Sequence, residues 1–134
     1  MSLYKQFRTD PKAEKDGIVL DYGEGGRIRV ARAGGSNKAY LSAIEKMHRK
    51  YRKQIQLNIL SEDVSQRILR EIFADTVILG WEGVTGPDGK DLDFTRANVL
   101  KVLEDLPDLF ADIREQASSA ALFRETLEEI DSGN

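Results

Sequence analysis

The chain has 134 residues, 40% of them hydrophobic and 32% charged, with a net charge of −3. That length suits one domain with one core. It contains no cysteine, which excludes disulfides, zinc ribbons, iron–sulfur clusters and thiol nucleophiles.

No apolar run approaches the roughly 18 residues of a membrane span. The opening Met1-Ser-Leu-Tyr-Lys-Gln-Phe lacks the apolar core of a signal peptide, so neither secretion nor membrane insertion is expected. The single histidine, His48, cannot form a metal cluster by itself. It lies in the cationic run Met47-His48-Arg49-Lys50. An exposed helix position is expected for it. Neither a catalytic group nor a metal or cofactor site is predicted.

Charge is unevenly distributed. Residues 1–53 carry 13 Lys/Arg against 6 Asp/Glu, a balance of +7, whereas residues 101–134 carry 3 against 9, a balance of −6. The densest patch is Arg49-Lys50-Tyr51-Arg52-Lys53. The ordinary reading of such a run is a solvated helix face. It also suits an acidic protein surface, the chain's own acidic C-terminal helices, or nucleic-acid phosphates. The overall negative charge counts against a dedicated nucleic-acid binder.

In chain order, Ile18–Tyr22 and the alternating Arg27-Ile28-Arg29-Val30-Ala31-Arg32 flank Gly23-Glu24-Gly25-Gly26. Period-2 alternation and a glycine-rich reversal predict a β-hairpin, with Ile28 and Val30 inward and Arg27, Arg29 and Arg32 outward. The loop lacks the Lys-Ser/Thr of a phosphate-binding P-loop. Ser36-Asn37 then offers a helix cap. Tyr40, Ala43, Ile44, Met47, Tyr51 and Ile55 form one stripe at helical spacing, with the cations largely off it. Ser61, followed by Glu62 and Asp63, caps a second helix. Its apolar rows run into Thr76-Val77-Ile78-Leu79, expected to be the most buried helical segment. Trp81 follows and is expected to be mostly buried as the anchor of an 83–94 loop.

Within that loop Gly86-Pro87-Asp88-Gly89 fits a type I turn. Asp88, Asp91 and Asp93 lack the order of a calcium loop. Thr95 caps a third helix, with Phe94 placed to staple onto Val99. Pro107 ends that helix and opens another. From Leu109 to Ile130 apolar residues keep helical spacing, with Ser118-Ser119 as an open question. The prediction is a single α+β domain over 1–134, mainly α with a small N-terminal hairpin. Residues 1–35 form an arm and hairpin, 36–130 a bundle of about four to five helices, and 131–134 a frayed tail.

Thr76-Val77-Ile78-Leu79-Gly80-Trp81-Glu82-Gly83-Val84-Thr85, Asp88-Gly89-Lys90, Asp93-Phe94-Thr95 and Leu103-Glu104-Asp105-Leu106-Pro107-Asp108-Leu109 together resemble the tail assembly chaperones of long-tailed bacteriophages. The hairpin leading into Ala31-Arg32-Ala33-Gly34 and Asn37-Lys38-Ala39-Tyr40 is also similar, so the likeness covers about residues 17–125. The Trp-Glu-Gly-Val core with its turn carries most of the specificity. The resemblance implies a non-enzymatic protein, without cofactor, acting in the host bacterial cytoplasm. It implies that the chain keeps the long, helical tape-measure protein soluble before the tail tube polymerises around it. Such chaperones often exist in two forms through a programmed frameshift, the longer one recruiting the tube subunit. The resemblance implies that this chain is the shorter form.

A helical partner with uncovered apolar stripes calls for a spare apolar stripe on this chain. The candidates are Tyr40, Met47 and Tyr51 with Arg49, Arg52 and Lys53 flanking, and Phe110, Ile113, Phe123 and Leu127. Core packing is the ordinary role for these apolar residues, and periodicity does not show which stripe stays uncovered. The split charge also predicts weak, salt-sensitive self-association. The alternative is a small nucleic-acid-binding regulator using the basic patch 46–53.

Overall fold

A computed structural model describes residues 2–124. Among them are seven α-helices and one three-stranded sheet. Two short helices come first: α1 (Leu3–Phe7), capped by Ser2, and α2 (Pro11–Asp16), capped by Asp10 with proline in its first turn. β1 (Ile18–Asp21) and β2 (Arg27–Val30) form the expected hairpin, antiparallel in the register Ile18↔Val30 to Asp21↔Arg27.

The long helices expected of the bundle are present. They are α3 (Lys38–Lys50), α5 (Glu62–Thr76), α6 (Arg96–Asp105) and α7 (Pro107–Ala117), with a one-turn α4 (Arg52–Gln56) after α3. Their caps are local and read directly from sequence. Asn37, Ser61 and Thr95 each accept a hydrogen bond from a backbone N–H three residues on. Pro107 opens α7 directly after α6. The Gly86–Gly89 turn closes through Gly89 N–H on the Gly86 carbonyl, 2.9 Å.

Residues 78–82 depart from the expectation. Ile78–Glu82 is a third strand, β3, antiparallel to β2, rather than the end of a helix. The helix stops at Thr76, whose Oγ1 donates to the Ile72 carbonyl at 2.7 Å. Thr76, Val77 and Ile78 are β-branched and lose rotamer freedom in a helix, and Gly80 is a poor helix former. The open edge of β2 offers this stretch a ladder of hydrogen bonds instead.

Register fixes the two sheet faces. Leu20–Ile28–Trp81 and Ile18–Val30–Ile78 form rows on the inner face, whereas Val19–Arg29–Gly80 and Asp21–Arg27–Glu82 lie outside. The inner rows meet Phe73 and Val77 from the α5 end, Val99 and Leu103 of α6, and Phe110, Ile113 and Ala117 of α7. Phe73 is central, edge-on to both Tyr40 and Phe110 with ring centroids 5.9 and 5.5 Å away.

The last helical stripe breaks at Ser118-Ser119. Ala33 N–H takes the Ala117 carbonyl at 2.9 Å, and a 3₁₀ turn over Ala120–Phe123 buries Phe123 completely. Arg32, expected to point outward, is instead half-buried. Its guanidinium pairs with Glu14 of α2, which is 1% exposed, because α2 folds back over the end of β2.

Candidate partner-binding surface

α3 and α5 run in opposite senses. The Asn37 side-chain amide at the start of α3 donates to the Thr76 carbonyl at the end of α5, 2.9 Å. Thirteen residues of α3 carry the chain about 20 Å from that point. The pair therefore ends in a tip made of α4 and the 57–61 connection, remote from the sheet.

Sequence analysis places Tyr40, Met47 and Tyr51 on one stripe, and the structure lays that stripe along α5. All three are half-buried. Tyr40 goes deepest: its ring meets Phe73, and burial pushes its phenol pKa up. Farther along, a shallow groove has Ala43, Met47, Tyr51, Ile68 and Ile72 as its apolar floor. Lys46 and Lys50 form one rim and Glu71 and Asp75 the other. Arg49, Arg52 and Lys53 are exposed beside it. Arg49 pairs with Glu45 one turn earlier at 2.9 Å, and both side chains are more than half exposed. Such a pair contributes little to stability. The patch is thus a solvated cationic surface, and His48 is exposed within it.

The second candidate stripe is corrected by the structure. Phe110 is 2% exposed, and Ile113 and Phe123 are fully buried. Phe110 and Ile113 of α7 pack in the core with the sheet, and Phe123 is enclosed in the 3₁₀ turn that contacts α2, so no partner reaches them in the folded chain. Leu127 lies outside the described residues. Trp81 is on a strand and half-buried rather than at a helix end. Its indole N–H donates to the Leu92 carbonyl at 2.9 Å, and its ring lies edge-on to Phe94 at 5.4 Å. It thereby ties the 83–94 loop to the sheet.

The most exposed part of the tip was not singled out from sequence. Leu57 and Ile59 are 68% and 66% exposed, and Ile55 is 39% exposed. The backbone there is well tied down. Ile59 N–H bonds the Gln54 carbonyl, Asn58 N–H bonds the Ile55 carbonyl, and Asn58 adopts φ +53°. This is a Schellman cap with asparagine in the left-handed position. An asparagine just past an amphipathic helix is the local signal for it. The cap holds Leu57 and Ile59 out in water on an ordered turn. Next to it, Glu45, His48, Arg49, Arg52, Ile55 and Gln56 line an open depression of about 490 Å³. The tip thus combines aliphatic side chains with exposed cations. Among the described residues, no three His, Asp or Glu side chains gather closely enough to hold a metal ion. No described helix is long and apolar enough to cross a membrane.

A family model described as YdaY prophage protein matches residues 35–134, which include the whole of α3, α4 and α5. No curated protein and no solved structure matches the chain. The chain belongs to the YdaY prophage protein family and is a phage-derived protein.

Proposed function

From a prophage protein with this tip, we propose a tail assembly chaperone that binds the tape-measure protein and keeps it soluble during tail morphogenesis. The role is non-enzymatic. The observation that carries the reading is the capped tip, where Ile55, Leu57 and Ile59 stand in water beside Arg49, Arg52 and Lys53. A long helical partner exposes apolar stripes before assembly. A small helical protein with aliphatic residues on a hydrogen-bonded turn, next to a groove floored by Met47 and Tyr51, can cover such a stripe by helix-in-groove packing. Many copies along one rod add avidity. The flanking cations steer the approach and set register, while the aliphatic residues supply affinity.

Aliphatic side chains next to the cations favour a protein partner over nucleic acid, since phosphates reward Lys and Arg but not Leu or Ile. The test is co-expression in bacterial cells with a tape-measure segment from the same prophage. The expected result is a soluble segment that co-purifies with this chain and without nucleic acid. A segment that stays insoluble while this chain elutes alone would overturn the reading. Recovery of nucleic acid with the chain, lost at high salt, would replace it with the nucleic-acid regulator.

A further inference from the structure

α1 has no explanation within the described residues. It is five residues long, buries none of them, and leaves Leu3, Tyr4 and Phe7 at 71%, 73% and 63% exposure. An isolated helix of that length is not stable in water. A three-residue apolar face on it therefore calls for a cover.

The chain's own path points to one. Asp10 N–H bonds the Phe123 carbonyl at 2.7 Å, and Thr9 and Arg124 form an antiparallel bridge. The bridge makes residues 123–124 antiparallel to residues 9–10, so Arg124 lies on the side of residue 8 and α1. Arg124 already lies over the Phe7 ring, 5.4 Å from its centroid. The residues that follow, Glu125-Thr126-Leu127-Glu128-Glu129-Ile130-Asp131, hold four carboxylates, no cation and two aliphatic side chains three apart. α1 and the residue after it hold Lys5 and Arg8 and no carboxylate.

We infer that the exposed face of α1 is the docking surface for the chain's own acidic segment 125–131. Leu127 and Ile130 pack on Leu3, Tyr4 and Phe7, and the carboxylates face Lys5 and Arg8. Reach is sufficient. Leu127 is three residues beyond Arg124, a span of up to about 10 Å, and α1 is about 7.5 Å long. The tether favours the chain's own segment over that of a second copy, because a short linker gives an effective concentration near the millimolar range. The inference is independent of the chaperone role.

The test is zero-length carbodiimide coupling on the full chain, using an equal mixture of ¹⁴N- and ¹⁵N-labelled protein, with linked peptides identified by mass. The expected product joins Lys5 to Glu128 or Glu129 within one chain, and it disappears in the variant Leu127→Ser/Ile130→Ser. In parallel, Tyr4→Ser/Phe7→Ser should speed cleavage after Glu128 and Glu129 by a glutamate-specific protease about tenfold or more, because cleavage follows the undocked population. Links found only between differently labelled chains would overturn the inference in favour of a second copy. Absence of any link from Lys5 to residues 125–131, with Lys5 still reactive toward a simple acylating reagent, would overturn it outright. So would a cleavage rate unmoved by the α1 substitutions.

Discussion

Replacing Glu14 with glutamine tests the ionic anchor that ties α2 to the loop before α3. Glu14 keeps 1% of its surface. One carboxylate oxygen accepts from the Arg32 guanidinium, and the other accepts from Ser36 Oγ at 2.9 Å. The fit leaves room for nothing else: a Cβ on Gly35, itself at φ +52°, would lie 2.0 Å from Oε2. Removing one partner of a fully buried pair costs about 3–5 kcal/mol. Here Arg32 keeps 20% of its side chain in water. Glutamine also preserves the volume and an acceptor for Ser36. A cost of about 2–3 kcal/mol follows, or roughly 6–15 °C in melting temperature for a chain of this size. Thermal and urea unfolding followed by circular dichroism would measure it. A shift below about 2 °C at neutral pH would refute the anchor. The pH dependence has a fixed sign. Burial pushes the Glu14 carboxyl up, but hydrogen bonds from Arg32, Ser36 and Thr9 and the Arg32 charge outweigh it and leave the pKa below its ordinary value. The contribution is therefore complete above the unfolded-state pKa and lost as pH falls through the lower folded one. The gap between wild type and Glu14→Gln should close as pH drops below about 4.

Leu57→Ser with Ile59→Ser removes two side chains that are about two-thirds exposed. Burying that remainder on a partner is worth about 1–2 kcal/mol each, so affinity for a tape-measure segment should fall roughly 30- to 1000-fold by fluorescence anisotropy. The melting temperature should stay within about 2 °C, since surface substitutions rarely exceed ±0.5 kcal/mol. Phe110→Ala, at 2% exposure and edge-on to Phe73, should cost about 3–5 kcal/mol in urea unfolding, and a loss under about 1 kcal/mol would place Phe110 outside the core. Trp81→Phe keeps an aromatic ring near Phe94 but removes the donor to the Leu92 carbonyl. It should cost about 1–2 kcal/mol, read by circular dichroism, and an unchanged urea midpoint would show that the indole bond does not hold the loop.

What the sequence made legible was local. Asn37, Ser61, Thr95 and Pro107 act within one helical turn, and the Gly86–Gly89 turn closes on itself, so neighbouring residues suffice to read them. β3 was not legible, because Val77, Ile78 and Leu79 suit either a buried helix end or a strand. The deciding partner is β2, whose Val30 pairs with Ile78 from far upstream. The Glu14–Arg32 pair escaped for the same reason. Alternation assigned Arg32 an outward direction, and only the return of α2 over β2 gives it a buried carboxylate. The break at Ala117 is likewise decided by Ala33, which takes the last carbonyl of α7.

The surface divides along the same line. The cations at 46–53 were visible as composition, and Tyr40, Met47 and Tyr51 were visible as a stripe. Periodicity defines a face and not what covers it. It therefore treated Phe110 and Ile113, which the sheet buries, in the same way as Met47, which α5 covers only in part. Leu57 and Ile59 fall outside the stripe, and their only local signal was Asn58. Their placement is the most informative feature of the molecule. A Schellman cap needs a left-handed residue at Asn58 and two backbone hydrogen bonds, and neither requires leucine or isoleucine on either side. Serine at both positions would preserve the cap and leave the core untouched. Two aliphatic side chains left in water beside a cationic helix are what the proposed partner, with its apolar stripe, would cover.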